Sequence, residues 1–183
     1  FFHYLGEYLG SDLPELASTG TAHAFPFVRL RGPVAIIGLS TAVPRPPLVA
    51  SGRLGAEQIH ALGRALSHPE VAARTPVILQ HHPFHNPPSR SKTLLEGLTD
   101  ADAEGKVIGR VPRGLLLHGH LHRRVHRTFR TDQGHIDVVG ATSASLMHDS
   151  DDRMAGFNLY EIADDGSIQS IVAHRLIAGT ERF

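Results

Sequence analysis

Three short apolar runs, each closed by a proline or a glycine, restrict the possible folds of this chain most. "PVAIIGLST" (33–41), "TPVILQHHP" (75–83) and "GLLLHGH" (114–120) fall far short of a membrane span and are too uniformly apolar to keep one face in water. Runs of that length and character suit strands buried on both faces, as in a parallel sheet covered by helices. Between the first two runs, Leu54, Ile59, Leu62 and Leu66 recur at helical spacing through "RLGAEQIHALGRALSHP", and Pro69 is expected to stop that helix. A second, less regular helical stretch is expected around 91–104. "AVPRPPLVASG", with three prolines, reads as a loop.

Ahead of the first run, "SDLPELAS" suggests a short helix and "FPFVRLRG" (25–32) alternates like a half-buried strand. After residue 120 the pattern changes. "RRVHRTFRT", "HIDVVGATSAS" and "FNLYEIADDGSIQSIVAHRLI" read as four strands, with hairpin signals at Gln133-Gly134 and Asp165-Gly166. Strands alternating with helices, followed by antiparallel strands, predict a layered α/β fold with a mixed sheet. At 183 residues and 41% hydrophobic, the chain can form one domain with a substantial core.

Composition removes several functions. Eighteen basic residues balance eighteen acidic ones, so no net field attracts nucleic acid or an anionic membrane surface, and neither is expected as a partner. Without cysteine there are no disulfides, thiolate nucleophiles or Cys-type zinc sites. No signal-peptide pattern is visible, and a cytoplasmic location is expected. "GLSTA" lacks the second glycine of a serine-hydrolase elbow.

What the chain does hold is histidine. Seven of its fourteen lie between positions 81 and 126, in "LQHHPFHNP" (79–87), in "LHGHLH" (117–122) and at His126. His81 and His120 each follow a buried strand, and side groups at the carboxyl ends of neighbouring parallel strands face one crevice. His120 and His122 are two apart, so an extended or turning backbone aims both to one side, with Gly119 allowing a sharp bend. Neutral imidazoles so arranged suit a metal ion. His118, inside the apolar run, is expected to be structural, and His3, His23, His60, His68 and His174 to be ordinary hydrogen-bonded histidines. "MHDSDDR" (147–153), with Asp149, Asp151 and Asp152, reads as a solvated loop, and "RRVHR" as an exposed strand face.

These residues carry a resemblance. "GHLH" (119–122) is similar to the G-H-x-H motif of the calcineurin-like metallophosphoesterase superfamily, and "QHHPF" (80–84) to its H-H-P motif. "IIGLST" (36–41) resembles the family's strand-and-turn position, and "AGFNLYEI" the tails of its bacterial members, so the likeness spans about residues 25 to 177. It implies a layered α/β sandwich holding two metal ions (Mn, Fe or Zn) that hydrolyses phosphodiesters or phosphomonoesters. By motif position His81 and His120 would bind one ion and His122 the other. His82 and His85 are candidates to hydrogen-bond the substrate phosphate or orient His81; the alternative, favoured for His85, is that they are loop histidines beside prolines.

The family's D-x-H, G-D-x-x-D and G-N-H-D/E motifs do not occur in this sequence. They supply the bridging carboxylate, three further ligands and the catalytic histidine, so no catalytic residue is assigned here. Everything missing belongs ahead of the first strand. The chain is therefore expected to be the C-terminal portion of a larger phosphoesterase domain, exposing a sheet face and edges that pair with its N-terminal half or with another copy of itself. The alternative is a non-catalytic metal-binding or assembly fragment, holding one Zn or Ni ion through His81, His120 and His122, or none.

Overall fold

The computed structural model describes residues 10–18 and 24–177, so His3 and His23 lie outside the described residues. Among those described are eight strands: β1 (Phe27–Arg31), β2 (Val34–Gly38), β3 (Thr75–Leu79), β4 (Arg113–His118), β5 (Val125–Arg130), β6 (His135–Gly140), β7 (Gly156–Ile162) and β8 (Ile168–Arg175). They are accompanied by helices α1 (Ala56–Ser67), α2 (Pro69–Ala72), α3 (Arg90–Glu96) and α4 (Ala101–Ile108), and by a 3-10 turn at Pro14–Leu16. β1 to β6 form one sheet in the order β1-β2-β3-β4-β6-β5. β2, β3, β4 and β6 are parallel, while β1 and β5 run antiparallel at the two edges. The chain is thus an α/β protein with a mixed six-stranded sheet, and the three apolar runs are three of its four parallel strands.

The two sheet faces differ. Ala35, Ile37, Ile78, Leu116, Ile136 and Val138 pack with Ile59 and Leu62 of α1 and Ile108 of α4 into one buried cluster. On the opposite face Val77, Leu115 and Val139 are buried too, whereas Ile36, Leu79 and Leu117 are only half-buried. β7 and β8 form a separate two-stranded hairpin, joined to the main sheet through polar contacts. Thr75 Oγ1 donates to Gly166 O (2.5 Å), Arg113 to Asp165 O (2.8 Å) and Arg124 to His174 O (3.3 Å). Phe157 (43% exposed), Leu159 (54%) and Val172 (46%) leave an apolar stripe on this hairpin in water. Among the described residues no helix is long and apolar enough to cross a membrane.

Two expected helix boundaries shift for identifiable reasons. Pro69 ends α1 and also opens α2, because proline at the first position of a helix loses no hydrogen bond it could have made. The stretch around 91–104 is two helices, since the backbone between them is used elsewhere. Gly52 donates to Gly97 O, Thr99 N donates to Gly52 O, and Asn86 bonds both backbone groups of Leu98. Asp100 then receives the amides of Leu54 and Gly55, fixing the entry to α1.

One core residue conflicts with its surroundings. Glu104 of α4 is fully buried, and burial pushes its pKa up to about 8. Its one hydrogen bond comes from Gln80 Nε2 at 3.4 Å, leaving a buried oxygen on each side chain (Glu104 Oε1 and Gln80 Oε1) without a partner. Because the folded pKa lies above the ordinary value of 4.5, the unfolded state releases its proton first. The stability associated with this carboxyl is complete below pH 4.5 and is lost as pH rises toward 8. Glu104→Gln should therefore match the parent near pH 4.5 and exceed it by about 3 to 5 kcal/mol near pH 8. Urea midpoints at the two pH values measure this; a gain independent of pH would show that ionisation is not the cause.

Candidate functional site

The ladder between β3 and β4 does not stop where the strands do. Leu79 pairs with Leu117, Gln80 N donates to Leu117 O (3.0 Å), and Gly119 N donates to His81 O (3.1 Å). Backbone bonds thus zip the two histidine motifs together. They carry His81 Nε2 to 3.2 Å from His120 Nδ1, with the His82 ring 4.5 Å from that of His120. His120 and His122 do not alternate as in a strand. Both take left-handed backbone conformations (φ 65° and 46°), and Leu121 N folds back onto Gly119 O at 2.7 Å. The bend expected at Gly119 therefore falls on the histidines themselves. A Cβ on Gly119 would meet only His81, at an ordinary 3.7 Å. Left-handed residues other than glycine are costly and concentrate at functional sites.

His82 lies beneath this pair, only 6% exposed. Its Nε2 meets Ala50 O at 2.8 Å, and a carbonyl can only accept, so Nε2 carries the proton. Nδ1 then accepts from the Thr41 hydroxyl at 2.7 Å, and Thr41 Oγ1 accepts the His82 amide at 3.3 Å. Burial lowers the pKa of His82, keeping the ring neutral. With both nitrogens committed, His82 orients the motif and has none left for the substrate contact expected of it. The ring has room because residue 52 is glycine; a Cβ there would stand 2.3 Å from Nδ1. His118 is structural as expected: it is buried, donates from Nδ1 to Gly119 O (3.1 Å) and occupies space left by Gly140.

His81 is exposed, His120 half-buried and His122 exposed. Burial, followed by the His120 and His122 charges, lowers the pKa of His81 and favours the neutral, ligating form. Two ring nitrogens 3.2 Å apart match two ligands of one ion at metal–nitrogen distances of about 2.0–2.1 Å. His81 and His120 therefore fit a single ion. Among the described residues no third His, Asp or Glu completes a ligand group, so His122 does not join the pair and no carboxylate bridges it.

Several contributors had no signal in the sequence. Thr41, Ala50 and Gly52 act on His82 across 30 residues or more. The 147–153 loop is ion-paired rather than merely solvated. Asp152 holds Arg123, Asp151 holds Arg175, and the Ser150 hydroxyl together with Arg123 lowers the Asp152 carboxyl to about 2. Nor is "RRVHR" a plain exposed face, because Arg124 donates to the carbonyls of Met154, Ala155 and His174. Compared with protein-family models and with curated proteins, the sequence finds no match in either.

Three substitutions separate these roles. Thr41→Val strands a buried imidazole nitrogen and should cost about 1–3 kcal/mol. Gly52→Ala forces the His82 ring aside and should cost a similar amount through overpacking. Gly119→Ala should stay within about 1 kcal/mol of the parent. Denaturation midpoints give the ranking, and a Gly119→Ala loss as large as that of Gly52→Ala would contradict it.

Proposed function

We propose that this chain supplies the histidine side of a metal-dependent phosphoesterase site, and that it is the C-terminal portion of a layered metallophosphoesterase sandwich. The observation that carries this is the His81–His120 contact, formed where two parallel strands end and in the motif order Q-H-H-P then G-H-L-H. A divalent ion (Mn, Fe or Zn) bound there would polarise a phosphoryl oxygen and lower the pKa of a bound water. The protein groups hold it ready: His82 fixes the loop, His81 stays neutral to ligate, and His122 is free to turn toward a second ion.

The remaining ligands, including the bridging carboxylate and the catalytic histidine, would come from polypeptide outside the described residues, either an N-terminal half or a second copy. The exposure of His81 and His122, the half-covered sheet face at Ile36, Leu79 and Leu117, and the apolar stripe of the hairpin support such a covering partner. A cytoplasmic hydrolase of small phosphate esters is the function we assign. The incomplete ligand group favours a second reading, in which this chain binds one ion without catalysis.

The test measures hydrolysis of bis(p-nitrophenyl) phosphate with added Mn or Zn, by this chain and by the same chain extended upstream of Phe1. The extended protein should turn over, and His120→Ala should reduce its kcat at least a hundredfold while leaving its melting temperature within a few degrees. Zn binding by the present chain, followed by calorimetry, should weaken at least tenfold in the same variant. Failure of the extended protein to hydrolyse any phosphate ester, with Zn binding intact, would leave the non-catalytic reading. Zn affinity unchanged in His120→Ala would overturn both.

A further inference from the structure

On the other side of His120 a cleft of about 530 Å³ opens between the loop after β3 and the segment after β4. Four cations line it, Lys92, Arg123, Arg127 and Arg153, against one carboxylate, Glu96. Two of the four are already neutralised, since Lys92 pairs with Glu96 at 3.5 Å and Arg123 with Asp152. Arg127 and Arg153 have no ion pair or side-chain hydrogen bond among the described residues, although Asp152 is within electrostatic reach of Arg153. Arg127 stands on β5 and Arg153 in the loop before β7, so separate parts of the fold bring them to one cavity. Like charges brought together in a concave site repel until an anion enters.

His85 adds a third group. It lines the same cleft; its Nδ1 is shut off from solvent and has no partner, so an anion in the cleft would meet the ring through its other nitrogen. Burial and then the Arg127 charge lower the pKa of His85, so the two side chains are close enough to feel each other. A neutral imidazole can give an anion one N–H, and a guanidinium offers the flat paired donors that match phosphate or carboxylate oxygens.

We infer that Arg127, Arg153 and His85 form an anion subsite beside the histidine pair, and that the substrate is a phosphate ester bearing a second anionic group next to the phosphoryl held at His120. The inference rests on the phosphoesterase reading for which phosphoryl reacts, but the subsite itself is testable without metal or turnover. A single phosphate cannot use both positions, whereas a compound with two neighbouring anionic groups can. Lys92 and Arg123, held by carboxylates, contribute to the field more than to direct contact.

The probe is inorganic pyrophosphate, compared with inorganic phosphate, titrated into this chain in metal-free buffer with chelator present. Binding is followed by calorimetry and by the imidazole NMR signals, with His85→Gln identifying the His85 resonance. Pyrophosphate should bind saturably, at least tenfold more tightly than phosphate, weaken with added salt and shift the His85 signal. The double variant Arg127→Ala, Arg153→Ala should lose at least tenfold in pyrophosphate affinity, and the weaker phosphate binding, which without metal uses the same arginines, should fall with it. Both side chains are exposed, so its melting temperature should equal the parent's, and Arg→Lys at both positions should restore part of the binding. Equal affinity for the two anions, or an unchanged double variant, would overturn the subsite. Pyrophosphate binding that depends on the arginines, in a protein whose extended form hydrolyses nothing, would refute the phosphoesterase reading alone. His120-dependent hydrolysis with no preference for doubly anionic esters would refute the subsite alone.

Discussion

The parallel ladder between β3 and β4 is the constraint on which the rest depends. It is short, but it runs past the strand ends through Gln80, His81 and Gly119, so the two histidine motifs are joined by backbone hydrogen bonds before any side chain meets. A register slip of one residue would turn every side chain over, carrying His81 to the core side and Ile78 out of it. The apolar face holding Ile78 and Leu116 opposes that slip, because it would turn Ile78 out of the core. The positions of His81 and His120 are therefore set by hydrophobic burial some 5–10 Å away, not by attraction between the imidazoles.

The second fixed point is His82. Thr41 at the end of the segment following β2 and Ala50 in the next loop hold its ring from two sides. This ties three stretches of chain into one floor beneath the histidine pair, and the neutral tautomer is the one such partners require. The left-handed conformations of His120 and His122 are held in place from this floor and from the ladder. Such strain persists only where the surroundings determine it, and here the backbone on both sides of the turn is hydrogen-bonded.

Much of this was legible in the sequence, in a definite order. The buried strands could be read from apolar runs stopped by proline or glycine, and α1 from its spacing, because burial on one side leaves a periodic trace. Both hairpins could be read from their Gly-containing turns. His81 and His120 followed from strand-end position. What could not be read has no local trace: Thr41 meets His82 across 41 residues, and Gly52 matters only because of a ring that packs against it. The bend was assigned to Gly119 because glycine is the usual residue for it, yet the histidines carry the positive φ. The 91–104 stretch broke in two because neighbouring loops took its backbone groups. Arg127 reads as a residue on an exposed strand, and only the sheet order places it in a cleft with Arg153 and His85.

The ligand chemistry and the cleft charge belong together. A metal held by neutral imidazoles keeps its full positive charge, whereas bridging carboxylates would offset part of it. Next to that position stand Arg127 and Arg153, neither of them in an ion pair among the described residues. On the phosphoesterase reading, an ion at His81 and His120 and the two guanidiniums repel one another across the crevice, and an anion between them relieves both repulsions at once. Linkage then makes the two events reciprocal: whatever factor the anion adds to metal affinity, the metal adds to anion affinity. Carboxylates contributed by a covering partner would weaken that coupling by supplying negative charge permanently. On that reading a histidine-only shell would leave the site dependent on its ligand for charge balance, with the arginines setting how much negative charge that ligand must bring.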